Sequence, residues 1–281
     1  MENQAPPQKF RHIAANIVIL VALVVIGVKW NPAHMNTAWL LIMVLMLAFM
    51  VIFSHGITGD WRSLLIDGRF RMSLSRLQLL SWTLLILSAL LAAVYKNLGL
   101  DEPGPLEIII PPELWVLMGI STASAISAPA VMANKRKVQP DAREKKAVRK
   151  AMKHQHYAVP DLDGVILKNK GFKDARWGDL LKGDETGNAV SVDLGKIQMF
   201  FFSFIIIVSY GIAIAKLLAG DGEISALPAV DEGMNVLLGI SHTGYLANKA
   251  VAHSKPQEPE DDAPKPKAPA GQATDPEDED A

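Results

Sequence analysis

His242 lies well inside an apolar stretch, where it is the only ionisable side chain other than tyrosine. An ionisable group at bilayer depth points to function, because its charged form is costly there. Two uses are open to it. It can carry a proton, or it can stay neutral and hydrogen bond across helices to Ser121 or Tyr210, with Tyr245 three residues on in the same network. Gln78 and Gln198 occupy matching first-turn positions of two other apolar stretches, where they can bond each other or flank an opening. Glu113, Asp231 and Glu232 stand at the starts of two stretches. Carboxylates there suit the helix dipole, or, as a ring, a cation mouth.

Other spacings are less specific. His154-x-His156 with Asp161 and Asp163 can surround a metal but matches no known ligand pattern, so no metal and no cofactor is expected. "GDETGN" at 183–188 reads as a turn and not a phosphate loop, since no Lys-Ser/Thr follows its glycines. The absence of cysteine excludes disulfides, thiolate metal sites and a Cys nucleophile. No Ser-His, paired-carboxylate or His-x-x-x-His arrangement falls in an apolar stretch, so no enzyme is expected. Asp141-x-x-Glu144 after Pro140 resembles a capping box. The basic run that follows carries Ala147, Val148, Ala151 and Met152 on one side. Residues 143–153 are therefore expected to lie on anionic lipid headgroups. The run lacks interleaved aromatics, so nucleic acid is not an expected partner.

The elements that position these residues are apolar runs. The 281 residues have a net charge of −1 and are 50% hydrophobic, but the charges are confined to the gaps. A bilayer core of about 30 Å needs about 20 apolar residues in a helix. Six runs qualify: Ile13–Trp30, Thr37–Ser54, Leu77–Tyr95, Pro112–Ala133, Ile197–Leu218 and Gly233–Val251. The fourth and sixth are diluted by small and polar residues. The first follows Lys9, Arg11 and His12 but lacks a convincing cleavage site, so it reads as an uncleaved anchor.

Charge orients the spans. The gap after the second holds Arg62, Arg69, Arg71 and Arg76, and the gap 134–196 holds 15 Lys and Arg. The gaps 97–111 and 220–233 are acidic. By the positive-inside tendency both termini are expected in the cytoplasm. Lys96 and Lys216 are expected to snorkel to headgroups on the far side, and Arg76 and Lys196 to anchor on the near side.

The chain also repeats itself. Residues 73–135 laid on 193–255 keep an offset of 120 without a gap, with fifteen of 63 positions identical. The matches include Gln78/Gln198, Lys96/Lys216, Asp101/Asp221 and Gly119-Ile120-Ser121/Gly239-Ile240-Ser241. Apolar composition alone does not align charges and a glutamine in one register. Two parallel copies of a helical hairpin are therefore expected. Trp61-x-x-Leu64-Leu65 and Trp177-x-x-Leu180-Leu181 echo each other ahead of the copies, as a short interfacial helix would. On a helix, Gly119, Ala123 and Ser127 form one row, and Gly239, Thr243 and Ala247 the matching row. Small residues let backbones approach in lipid, so these rows read as a packing seam between copies or between protomers. Ser121 and Ser241 sit beside it.

"LIDGRFRMSLSRLQLLSWTLL" (65–85) and "GDETGNAVSVDLGKIQMFFFSF" (183–204) resemble segments of uncharacterised bacterial inner-membrane proteins with the same doubled hairpin. With the Gly-Ile-Ser spans, the resemblance covers about half the chain. It implies a bacterial plasma membrane and about six spans; that group has no assigned activity.

The expected organisation is all-α and polytopic. Residues 1–60 form an N-terminal hairpin, 61–135 copy one, 136–192 a basic cytoplasmic connection, 193–253 copy two, and 254–281 a disordered acidic tail. The expected role is a membrane scaffold or anchor that presents the connection and tail to a cytoplasmic protein, with self-association a further expectation. The alternative is a channel or small-solute transporter lined by Gln78, Gln198 and His242.

Overall fold

The computed structural model describes residues 7–154 and 161–257. An antiparallel hairpin opens the fold, α1 (Pro7–Lys29) and α2 (Met35–Thr58). Asn31 caps the turn between them by accepting the Ala33 N–H at 2.9 Å. Gly59 stops α2 at φ 75, where its N–H bonds the His55 carbonyl at 2.8 Å. That left-handed position is cheap only for glycine.

Helix α3 (Leu74–Gly99) and helix α6 (Leu194–Ala219) correspond, and each has 26 residues. Both start and end 120 positions apart. Their caps, Ser73 and Asp193, each accept the backbone N–H three residues on, from Arg76 and Lys196. Helix α4 (Pro112–Ala133) and helix α7 (Glu232–Ala250) also begin 120 apart. Asp231 caps α7 by accepting the Gly233 N–H at 2.8 Å, so it serves the helix end. Helices α3, α4, α6 and α7 pack together, with α4 on α7 and α3 on α6, and α2 seats the first hairpin on α3. Trp82, Leu114, Leu117, Ile214 and Leu238 fill the centre. Tyr95 ties α3 to α1: its hydroxyl donates to the Leu23 carbonyl at 3.0 Å, and its ring lies against Gly27, where any Cβ would collide with it.

Among the described residues, α1, α2, α3, α4 and α6 are long and apolar enough to cross a bilayer, the architecture of a multi-pass membrane protein. Helix α7, with 19 residues, is not among them. Ile17, Val18, Val21, Val24, Val25 and Val28 leave an outward apolar face on α1 suited to lipid.

The connections meet in pairs at the two ends of the bundle. At the acidic end, Asn97 exchanges two bonds with the Ile224 backbone, at 2.9 and 2.8 Å. Ile109 forms an isolated parallel bridge to Ala226, its N–H bonding the Ser225 carbonyl and its carbonyl accepting the Leu227 N–H. Lys96 does not snorkel. It is buried and donates to the Leu218 and Gly220 carbonyls, which the end of α6 leaves without helical partners. Lys216 is exposed.

At the basic end, the described residues of the connection, 134–154 and 161–193, fold into a cap. It contains α5 (Ala142–His154) and a small antiparallel hairpin of β1 (Asp161–Asp163) and β2 (Ile166–Lys168), the departure from an all-α fold. Asp141 caps α5, accepting from the Arg143 and Glu144 N–H groups. Glu144 does not reach back to complete a capping box. It accepts from Thr186 Oγ1 at 2.6 Å and the Lys255 N–H at 2.9 Å. Val148 and Met152 are buried against Leu167 and Ala189. Val148 and Met152 of α5 thus belong to the cap and are unavailable to lipid, while the basic side, on which the headgroup expectation for 143–153 rests, faces out. The segment expected to be a free tail from 254 begins attached: Gln257 N–H bonds the Gln139 carbonyl at 2.9 Å, and Asp141 N–H bonds the Lys255 carbonyl at 3.1 Å. Residues 258–281 lie outside the described residues. Trp61 and Trp177 from the two echoed motifs stand together, ring centroids 6.5 Å apart.

Replacing Asn97 with Ala removes both bonds to Ile224 and leaves two backbone groups unpaired. The expected cost is about 1–3 kcal/mol, read as a lower unfolding midpoint of the purified protein in detergent.

Candidate functional site

Most of the small-residue rows lie away from the contacts between helices of one chain; Gly239 is the exception, since a Cβ placed there would touch Ile120 Cδ1 of α4 at 3.8 Å. Gly119, Ala123, Thr243 and Ala247 are exposed, Ser127 and Gly239 only partly covered, and a Cβ placed on Gly119 meets nothing. The contact uses the neighbouring rows, Leu117–Ser121–Ser124 on α4 and Leu238–Ser241–Tyr245 on α7, all buried. Two residues along a helix turn the side chain by about 200°, so the rows beside the glycines face the opposite way.

Five of the six polar candidates are buried: Gln78, Ser121, Ser241, His242 and Tyr245. Gln198 is exposed, so the two glutamines do not pair. Gln78 instead donates across to α6, to the Met199 carbonyl at 3.2 Å and to Ser203 Oγ. His242 does not bond Ser121 or Tyr210; neither ring nitrogen has a hydrogen-bond partner among the described residues. Ser121 Oγ, Ser241 Oγ, Tyr210 OH and Trp82 Nε1 are likewise buried without one. Tyr245 turns away from His242 and accepts from Lys249 Nζ at 2.6 Å. That bond leads from the bundle interior to the cap.

Beyond Tyr245 stands the densest group of charges, at the basic end of the bundle. Its centre is Asp184, in the turn read from "GDETGN". Residues 67–71 form a tight reversal: Asp67 N–H bonds the Arg71 carbonyl at 2.9 Å, and Phe70 takes a φ of 57. Arg69 and Arg71, two apart, both reach Asp184 Oδ1, at 3.1 and 3.4 Å. Lys196, in the first turn of α6, and Lys249, in the last turn of α7, hold Oδ2 at 3.1 and 3.0 Å. Asp67 braces Arg69 at 2.6 Å, and Asp179 braces Arg71 at 3.2 Å. Next door, Glu185 pairs with Lys135 at 2.5 Å and accepts the His253 N–H at 3.0 Å. Lys196 therefore serves the cap rather than headgroups; Arg76 is exposed.

Burial pushes the Asp184 carboxyl up, but Arg69, Lys196, Lys249 and Arg71 outweigh it and hold the carboxyl well below the usual carboxylate range. Asp67 is lowered in the same way, its desolvation outweighed by Arg69. Desolvation opposes the charge of Arg69, yet Asp184 and Asp67 raise its pKa further. The chemistry of the arrangement is electrostatic holding. It offers no nucleophile, and a carboxylate ringed by four cations does not attract a metal ion. No group of three or more His, Asp or Glu among the described residues is placed to hold one. Asp163 is engaged with Arg136 at 3.5 Å, and His156 lies outside the described residues.

Sequence reasoning missed this latch. The available signal was a pair of adjacent carboxylates between glycines, in a connection otherwise rich in Lys and Arg. It also missed His12 and His55, whose rings stack with centroids 5.1 Å apart and whose nitrogens approach to 2.9 Å. One lies near the start of α1 and the other near the end of α2, so an antiparallel hairpin brings them level. The chain matches no protein-family model, no curated protein and no solved structure.

Asp184→Asn leaves four buried cations facing a neutral amide and is expected to cost about 3–5 kcal/mol. Protease cleavage of the cap should precede loss of helical signal. In the native chain the depressed Asp184 carboxyl stabilises the fold above its unfolded pKa of about 4. That contribution is lost as pH falls through the lower folded value. Cap protection, followed by hydrogen exchange at residues 161–192, is therefore expected to be flat above about pH 4, to fall below it, and to show a smaller acid step in Asp184→Asn, with Asp67 supplying the remainder.

Proposed function

We propose that the protein is a plasma-membrane scaffold or anchor of the bacterial inner membrane, with α7 as a sixth span and both termini cytoplasmic. The cap is its presenting surface. The observation that carries this reading is the latch: a connection bound at Asp184 and Glu185 to the reversal before α3 and to the ends of α4, α6 and α7 holds one pose relative to the membrane. In that pose Val148 and Met152 face inward, and the basic residues Arg143, Lys146, Arg149, Lys150 and Lys153 face out. A rigid, outward basic face suits an acidic protein surface. The acidic stretch beyond residue 257 suits a basic one. The cytoplasmic placement rests on the positive-inside tendency. Both basic connections join in one cap, and both acidic connections pair at the opposite end, as that placement requires. The matching helix bounds support descent of the two hairpins from one repeat.

A second reading, a channel or small-solute transporter, draws on one observation: the unpartnered polar atoms of Ser121, Tyr210, Ser241 and His242 inside the bundle. It loses the symmetric glutamine pair, because Gln198 faces out.

Crosslinking from intact membranes followed by purification tests the choice. The full chain is compared with one ending at residue 257 and with one carrying Gln at the five outward basic positions of α5. The expected result is a stoichiometric soluble partner that is reduced in one of the two variants. Self-association alone would refute the scaffold. Solute flux in liposomes that is abolished by His242→Ala would establish transport in its place.

A further inference from the structure

The two hairpins differ at one place that their matched bounds make comparable. Lys196 is the third residue of α6, and Lys249 lies near the end of α7; between them sits the Asp184 carboxylate. The same positions in the first hairpin are Arg76, third residue of α3, and Pro129 of α4. Between these lies a cleft of about 80 Å3. Arg69, Arg76, Arg136 and Lys249 line it, with Asp67 as its only carboxylate. Arg76 has no hydrogen bond or ion pair to its side chain among the described residues. Arg69 is 7% exposed, and its Nη1, although 3.1 Å from Asp184, is without a hydrogen-bond partner. Among the described residues, the Arg136 side chain pairs with Asp163, at 3.5 Å.

The opposite wall is apolar. It follows one side of α4 from Ala125 through Ala128 and Pro129 to Met132. Four cations and an apolar wall line the cleft, where two bilayer-length helices end; Arg69 and Lys249 are shared with Asp184, while Arg76 has no acidic partner among the described residues, a lining suited to a phosphate group with hydrocarbon attached. The volume is several times what one water requires, and a tetrahedral oxyanion of five heavy atoms is of that size. Guanidinium groups suit it better than ammonium groups, since each can give two parallel N–H donors to one phosphate.

We propose that this cleft is a binding site for a phosphate oxyanion, occupying in the first hairpin the place that Asp184 occupies in the second. The apolar wall makes a phospholipid headgroup the expected source. The site is distinct from α5 and independent of whether the cap recruits a protein.

The test is native mass spectrometry of the full chain in mild detergent, titrated with phosphatidylglycerol. Diacylglycerol, which has the tails but no phosphate, is the control, and inorganic phosphate is the competitor. One phosphatidylglycerol is expected to remain bound where diacylglycerol does not. Arg76→Ala is expected to weaken it about tenfold, the effect of losing one charged hydrogen bond. Arg76 is exposed, so this variant keeps the fold. Ala128→Met fills the groove without changing charge and is expected to weaken binding as well, whereas the fivefold Gln variant of α5 leaves it unchanged. If inorganic phosphate binds alone and displaces the lipid, the site stands with a soluble anion as its ligand. Equal retention of the two lipids, or indifference to both Arg76→Ala and Ala128→Met, would overturn the proposal.

Discussion

Everything at the basic end of the molecule is organised around one buried carboxylate. Asp184 is reached by the reversal before α3, the first turn of α6 and the last turn of α7. Glu185 beside it takes Lys135 from the end of α4. Desolvating such a group is expensive, and its Coulombic attraction only offsets that expense when the cations are well placed. The gain is therefore less in net stability than in selection of one arrangement. A cap shifted by a few ångströms would leave buried charges unpaired, and each unpaired charge would be severely penalised. Hydrophobic contacts such as Val148 and Met152 on Leu167 tolerate sliding; four cations on two oxygens do not.

The opposite end is closed by different means. There the connections are joined by neutral bonds, with Asn97 reading the Ile224 backbone in both directions and Ile109 bridging to its partner segment. Lys96 is spent on helix-end carbonyls.

Between the ends, the interior is mixed. Leu114, Leu117 and Leu238 pack as in any helical core, yet Ser121, Ser241 and His242 are buried among them. Tyr245 links that interior to Lys249 and so to Asp184. A change of charge state at the latch thus has a direct covalent and hydrogen-bonded route to α7, one turn from His242.

The sequence by itself determined the helices. Hydropathy is a sum over neighbours, so the long runs were legible, and so was the helix start at Asp231, whose capping bond spans two residues. The matched starts of α3 and α6 followed from the same local chemistry. Which face of each helix turns inward was left to the tertiary structure. In a bilayer both lipid and protein interior are apolar, so the row of Gly119 and the row of Ser121 carry nearly equal signals, and packing chose the second. The amphipathic side of α5 was visible, but its counterpart, Leu167 and Ala189 rather than lipid, was not. The same holds for Asp184, whose partners lie between 12 and 115 residues away along the chain. Charges attract across any separation in sequence, and only the folded chain decides which of many Lys and Arg stands within 3.4 Å.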